Sequence, residues 1–229
     1  MILRLVSAGA AHALVNEAAR AAGLEATGSF GAVGAMLEKL DAGEPADVVV
    51  LTRAQVDALA AQGRVVAGTV GDLGTVATSL AVLAGDDPPD VSGEGPLRAA
   101  LLAADAIYFP DPARATAGIH FAKVLDQLGI RERLQDRIRN FPNGATSMRE
   151  MSHAGGNPIG CTQATEILAT PGVRLVSPLP RGFELETLYT AAVSARATDV
   201  TLARAFVMAL GASASRALRE RAGFVLSSA

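Results

Sequence analysis

The residues from Phe30 to Thr52, FGAVGAMLEKLDAGEPADVVVLT, constrain the fold more than any other part of the chain. Gly31 and Gly34 flank small residues where a helix can begin, and Met36, Leu37 and Leu40 then fall on one face at helical spacing. Asp41-Ala-Gly-Glu-Pro45 ends that helix. Gly43 can take the left-handed conformation past the last turn, and Pro45 forbids continuation. Ala46 to Leu51 is a short valine-rich run, as expected of a parallel strand covered on both faces. A helix start so poor in side chains leaves its free N–H groups approachable, and those groups with the helix dipole favour an anion.

The same alternation continues on either side. Ile2 to Ser7 reads as a strand, Ala8-Gly9-Ala10 as its turn, Ala11 to Ala22 as a helix closed by Gly23, and Glu25 to Phe30 as a second strand. Thr75 to Ala84 (TVATSLAVLA) and Glu186 to Ala195 read as two long strands that cross between lobes. Asp86 to Pro96 is a loop by its proline, glycine and aspartate content. Leu97 to Ala104, Ala117 to Leu128 and Ala145 to His153 read as helices, and Asn157 to Cys161 as a strand. Arg131, Arg133, Arg137 and Arg139 read as a solvated helix face, and Val200 to Leu210 and Ser213 to Ala222 as closing helices. The pattern predicts an α/β chain of two lobes, each a mostly parallel sheet flanked by helices. Residues 1–79 with 190–229 would form the first lobe and 80–189 the second, with hinge crossings near 75–84 and 186–195.

Composition narrows the function classes. A net charge of −3 without a Lys/Arg stripe argues against nucleic acid. One cysteine, Cys161, allows no internal disulfide and no Cys-x-x-Cys metal site, and we expect neither metal nor cofactor. No run of about 18 apolar residues marks a membrane span. Ile2 enters the first core strand with no export signal ahead of it, which points to a cytoplasmic protein and away from a transporter partner. A signal peptide trimmed from the chain would make the address periplasmic instead.

Gly-Ala-x-Gly-Ala before a helix, then Ala-Gly-Glu-Pro-Ala-Asp-Val and a run of valines, resembles the periplasmic molybdate-binding family of two-lobed (type II) solute-binding proteins. Further matches follow in order: Asp111-Pro112, Ala117-Gly118-Ile119 with Lys123, Gly160 to Glu166, Pro178-Leu179-Pro180 and Gly223-Phe224. The resemblance covers nearly the whole chain and implies a periplasmic-binding-protein-like fold that encloses a small anion between its lobes. It also implies an oxyanion held by serines in the first two turns, by backbone N–H groups in the second lobe and by a tyrosine. Here the first serine position falls at Gly9, with Ser7 two residues earlier, the second at Val33 or Gly34, and the tyrosine at Gln163. Those missing hydroxyls turn the expectation from molybdate to a carboxylate-bearing organic ligand.

Four small-residue helix starts are the candidate binding elements: Ser7 to Ala10, Gly31 to Gly34, Thr116-Ala117-Gly118, and Thr146-Ser147. Ser7, Thr116 and Ser147 could add hydroxyl donors, Gln163 an amide, and Arg114 a fork that fits a carboxylate. Small residues also serve any tight strand-to-helix turn, and Arg114 also reads as a solvated loop charge. His12, His120 and Glu166 are candidate bases for a second reading, a cofactor-independent isomerase of a small polycarboxylic acid, as in some relatives of this fold. Both histidines also read as partly exposed helix residues, and Glu166 as a local cap or salt-bridge partner.

Overall fold

Strand and helix alternate along almost the whole chain in the computed structural model, which describes residues 2–226. The chain divides into two compact units, residues 1–76 with 187–229 and residues 77–186. In the first, β1 (Ile2–Ala8) passes through a 3-10 turn, Gly9–Ala11, into α1 (His12–Ala21). Next come β2 (Glu25–Gly31), α2 (Val33–Asp41), β3 (Val48–Thr52) and α3 (Arg53–Ala61). Then β4 (Gly71–Leu83) carries the chain into the second unit. There α4 (Glu94–Ala103), β5 (Ile107–Pro110), α5 (Thr116–Gln127), β6 (Ile138–Phe141) and α6 (Gly144–Ser152) follow. β7 (Ile159–Gln163), the short α7 (Ala164–Leu168) and β8 (Val173–Pro178) complete it. β9 (Glu186–Val193) returns to the first unit, which α8 (Val200–Gly211) and α9 (Arg216–Arg221) finish.

In the first unit β1 lies between β2 and β3, parallel to both. Leu3, Leu5 and the run Val48 to Leu51 are buried, as strands covered on both faces require. Gly28 sits at φ 133, and a Cβ there would overlap the Leu5 backbone, so only glycine lets β2 approach β1 this closely. After α2, Gly43 takes φ 86, and the Glu44 N–H reaches back to the Lys39 carbonyl at 2.9 Å, closing the helix as its sequence predicts.

In the second unit β5 runs parallel to β6 and β7. Its apolar core divides by face. Leu80, Val82, Phe109, Phe121, Leu125, Ile159 and Cys161 pack together on the side of α5, with the Phe109 and Phe121 rings edge to face at 5.3 Å. Ala81, Met148, Met151 and Ile167 pack on the other side, under α6 and α7.

The two crossing strands add antiparallel pairing to otherwise parallel sheets: β9 is antiparallel to β3, and β4 is antiparallel to β7 and β8. The long crossing strands run against their neighbours, so they need no helical crossover. The arginine-rich stretch is not a solvated helix face but a 3-10 turn, Glu132–Arg137. Arg137 turns inward and donates to the Leu102 and Ala104 carbonyls at 2.9 and 2.8 Å, supplying donors that the end of α4 lacks. The last expected helix is broken into a 3-10 turn, Ser213–Ser215, and α9. The Ser215 hydroxyl donates to the Leu210 and Ala212 carbonyls there, competing with the helix ladder.

Candidate functional site

In an open parallel sheet, ligands meet the edge where strands end and helices begin, because the free N–H groups of the helices point there. The register in the first unit sets Ser7 beside Phe30 and Val50, and Ala8 beside Gly31. The turn at Gly9 and the start of α2 at Val33 therefore leave neighbouring strands at one level. Alanines precede both, Ala8 at φ −57, ψ 140 and Ala32 at φ −58, ψ 140, and neither start has a side-chain cap. Alanine is a poor N-cap, so the first N–H groups are left without a side-chain acceptor. Ser7 is buried and its hydroxyl donates to the Ala8 carbonyl at 3.1 Å, while Gly9 and Gly34 are partly exposed. His12, in the first turn of α1, packs its ring on Phe30 with centroids 4.3 Å apart. The loss of water on that face lowers its pKa below the ordinary histidine value.

The second unit has one helix start of the same kind and one of the opposite kind. α5 begins behind Ala115, again without a side-chain cap. Asp111 shapes the loop before it, accepting the N–H of Ala113 at 2.7 Å on its carboxylate and that of Ala115 at 3.0 Å on its carbonyl. Gly118 faces the Pro110 and Asp111 carbonyls so closely that a Cβ would overlap them, which seats the first turn of α5 on the end of β5. Thr116 is half-buried, Ala117 and Gly118 are buried, and Arg114 is exposed on the loop. His120 lies one turn on, with Nε2 2.7 Å from the Phe183 carbonyl, so that nitrogen carries a hydrogen and donates.

At α6 the chain supplies its own acceptors. Asn143 Oδ1 accepts the Thr146 N–H at 2.9 Å, and the Asn143 carbonyl accepts both the N–H and the hydroxyl of Ser147, at 3.0 and 3.1 Å. Glu166 accepts the N–H groups of Gly144, Ala145 and Gln163 and, at 2.6 Å, the Thr162 hydroxyl. Burial raises the Glu166 pKa, and these four donors hold it down in part. Gly144 is obligatory, since a Cβ there would overlap both the Glu166 carboxylate and the Thr162 hydroxyl. The same burial drives the Cys161 thiol well above its ordinary pKa, so it stays protonated inside the core.

Gln163 follows Ile159 and Cys161 at strand spacing and lies on the α5 face of β7, whereas Thr162 serves the α6 face. The helices that follow the neighbouring strands β5 and β7 leave to opposite faces. That divergence is a topological switch point, the place where open α/β sheets hold ligands.

The profile of the bacterial extracellular solute-binding protein family matches residues 3–225. The chain belongs to that family. The periplasmic molybdate-binding protein of Azotobacter vinelandii matches at TM-score 0.76 and 19% identity, over 99% of this chain and 100% of that one. The sulfate-binding protein of Mycobacterium tuberculosis matches at TM-score 0.70 and 18% identity, over 98% and 86%. Both carry the fold, a divergent member of the two-lobed solute-binding proteins. Aconitate isomerase from a Pseudomonas species is 27% identical over 177 residues, 77% of this chain and 66% of its own length. This solute-binding chain therefore spans just under two thirds of that relative.

Of the residues singled out in the sequence, Ser7, Gly9, Val33 and Gly34 lie on the strand-end edge of the first unit. Thr116, Ala117, Gly118 and Gln163 lie on that of the second. Ser147 and Glu166 are engaged in the closed start of α6. Sequence reasoning passed over Gly144, Thr162, Thr78 and Thr165. The last of these sits in the run Gly160 to Glu166, where polar residues at the end of a buried strand were the available signal. Among the described residues, no cluster of His, Cys, Asp or Glu could hold a metal ion, and no helix is long and apolar enough to cross a membrane.

Proposed function

We propose that this chain binds a small anionic organic molecule, one bearing carboxylates rather than an inorganic oxyanion, through backbone N–H groups at its helix starts. The observation that carries the reading is the set of alanine-preceded starts at Ala8, Ala32 and Ala115, none with a side-chain cap. Ser7, Gly9, Val33 and Gly34 would contribute from the first unit, and Arg114, Thr116, Ala117, Gly118 and Gln163 from the second. Ser147 drops out of this set because its donors are spent on Asn143. Gly9 and Val33–Gly34 offer no hydroxyl to a compact tetrahedral dianion. Each charge-assisted bond so lost is worth about 1.5–3 kcal/mol, which disfavours molybdate by orders of magnitude. Isothermal titration against molybdate, sulfate, dicarboxylates and tricarboxylates tests the proposal. We expect binding to one of the carboxylates at least 100-fold tighter than to molybdate, and silence across the carboxylates would refute it.

A second reading, isomerisation of an unsaturated polycarboxylate, is favoured by the similarity to aconitate isomerase and by His12. Its lowered pKa keeps the imidazole neutral near pH 7, fit to take a proton, while uncapped N–H groups could hold the charge that develops on the substrate. Incubation with cis- and trans-aconitate in deuterated water, followed by NMR, separates the two. Deuterium incorporation makes the chain an enzyme, and binding without incorporation leaves it a binder.

A further inference from the structure

Three buried polar residues lie at the end of β7, two of them paired across the sheet. The register places Thr78 of β4 directly opposite Gln163, and Thr165 follows two residues later in the first turn of α7. Thr78 is 1% exposed, Gln163 3% and Thr165 2%. Among the described residues, the hydroxyls of Thr78 and Thr165 have no hydrogen-bond partner. A buried hydroxyl left unmatched costs free energy, and folded proteins retain few of them. The surrounding backbone is well satisfied: the Thr78 N–H donates to the Leu185 carbonyl at 2.8 Å, and the Thr78 carbonyl accepts the Leu179 N–H at 3.1 Å. Thr162, next to Gln163, has its hydroxyl on Glu166. The two orphan hydroxyls are thus a local exception within an ordered, hydrogen-bonded strand end.

Their place is also informative. Thr78 shares its face of β4 with Leu80 and Val82, the face on which α5 packs and on which Gln163 lies. The uncapped first turn of α5 rests on Pro110 and Asp111, at the end of the strand beside β7. From α5 through Gln163 to Thr78 the line crosses β5, β7 and β4, about 10 Å at the usual strand spacing. None of the three side chains is charged. Hydroxyls can rotate to donate to a planar carboxylate without a paired cation.

We propose that Thr78 and Thr165, on either side of Gln163, form a neutral hydroxyl subsite that receives a second carboxylate arm of the ligand while the start of α5 holds the first. This rests on the anionic-ligand reading above and narrows it to polycarboxylates. The test uses Thr78→Val and Thr165→Val, which keep shape and remove the hydroxyl, beside Thr78→Ser and Thr165→Ser, which keep it. Affinities for tricarballylate, citrate and cis-aconitate are measured by titration, and Tm is measured without ligand. We expect each valine variant to weaken binding of the best probe at least tenfold while Tm holds or rises, with the serine variants near wild type. Wild-type protein that binds, with both valine variants binding equally well, overturns the subsite alone. Serine variants that lose as much as valine variants overturn it too, because packing and not the hydroxyl would then be responsible. Wild-type protein that binds no probe overturns the ligand class and the subsite with it.

Discussion

Gly144 has no space for a side chain, because the Glu166 carboxylate and the Thr162 hydroxyl occupy the place a Cβ would take. Gly144→Ala should therefore destabilise the protein by about 2 kcal/mol through overpacking at a closed polar site, measured as a shift in the urea midpoint. Glu166 adds a pH signature. Its folded pKa is raised by burial, so the folded state holds its proton more tightly than the unfolded chain does. Its contribution is fully present below about pH 4.5 and fades as pH rises through the folded value. Glu166→Gln should flatten the fall in stability over that range, followed as urea midpoints from pH 4 to 8. The sequence left Glu166 open between base and cap. Its hydrogen bonds make it the cap of α6, and only the fold brings Gly144 against it.

The helix starts set the chemistry at the scale of elements. Those behind Ala8, Ala32 and Ala115 lack side-chain acceptors, whereas Asn143 and Asp199 cap α6 and α8 through the N–H groups of Thr146 and Leu202, at 2.9 Å each. A carboxylate built into one of the uncapped starts should compete with the ligand. Gly34→Asp places that charge in the first turn of α2, where the dipole favours it. The expected outcome is loss of carboxylate binding, at least 100-fold by titration, with an unchanged far-UV spectrum. Retained affinity would remove this helix start from the site. The helices themselves were legible from apolar spacing and glycine stops, as Gly43 shows. The start of α6 was misread, because Asn143 precedes a run of small residues that looks open until Glu166 is seen to fill it.

Across the whole molecule, the first unit is assembled from distant parts of the chain, and Asp47 is where they are tied. Buried just before β3, it accepts the Arg4 N–H at 2.9 Å and the Arg4 guanidinium at 3.0 and 2.7 Å. It also accepts the N–H and hydroxyl of Thr198 at 2.8 and 2.9 Å, just ahead of α8. The Arg4 guanidinium and these donors hold its pKa far below the ordinary aspartate value. A carboxylate with a depressed folded pKa stabilises above its unfolded value, near pH 4, and loses that contribution as pH falls below it. Asp47→Asn should thus shift the acid-unfolding profile toward neutral pH and abolish its steepest part. Asp47→Ala should cost about 3 kcal/mol at pH 7, read by chemical denaturation.

The sequence by itself determined the α/β class, most helix positions and the small-residue strand ends, because burial on both strand faces and helical spacing leave a local imprint in residue order. Strand direction, the inward turn of Arg137, the self-filled start of α6 and the two unmatched hydroxyls beside Gln163 were decided only by the tertiary structure. Each depends on which groups meet across the fold, and a hydrogen-bonding side chain carries no mark in sequence of whether its partner is near.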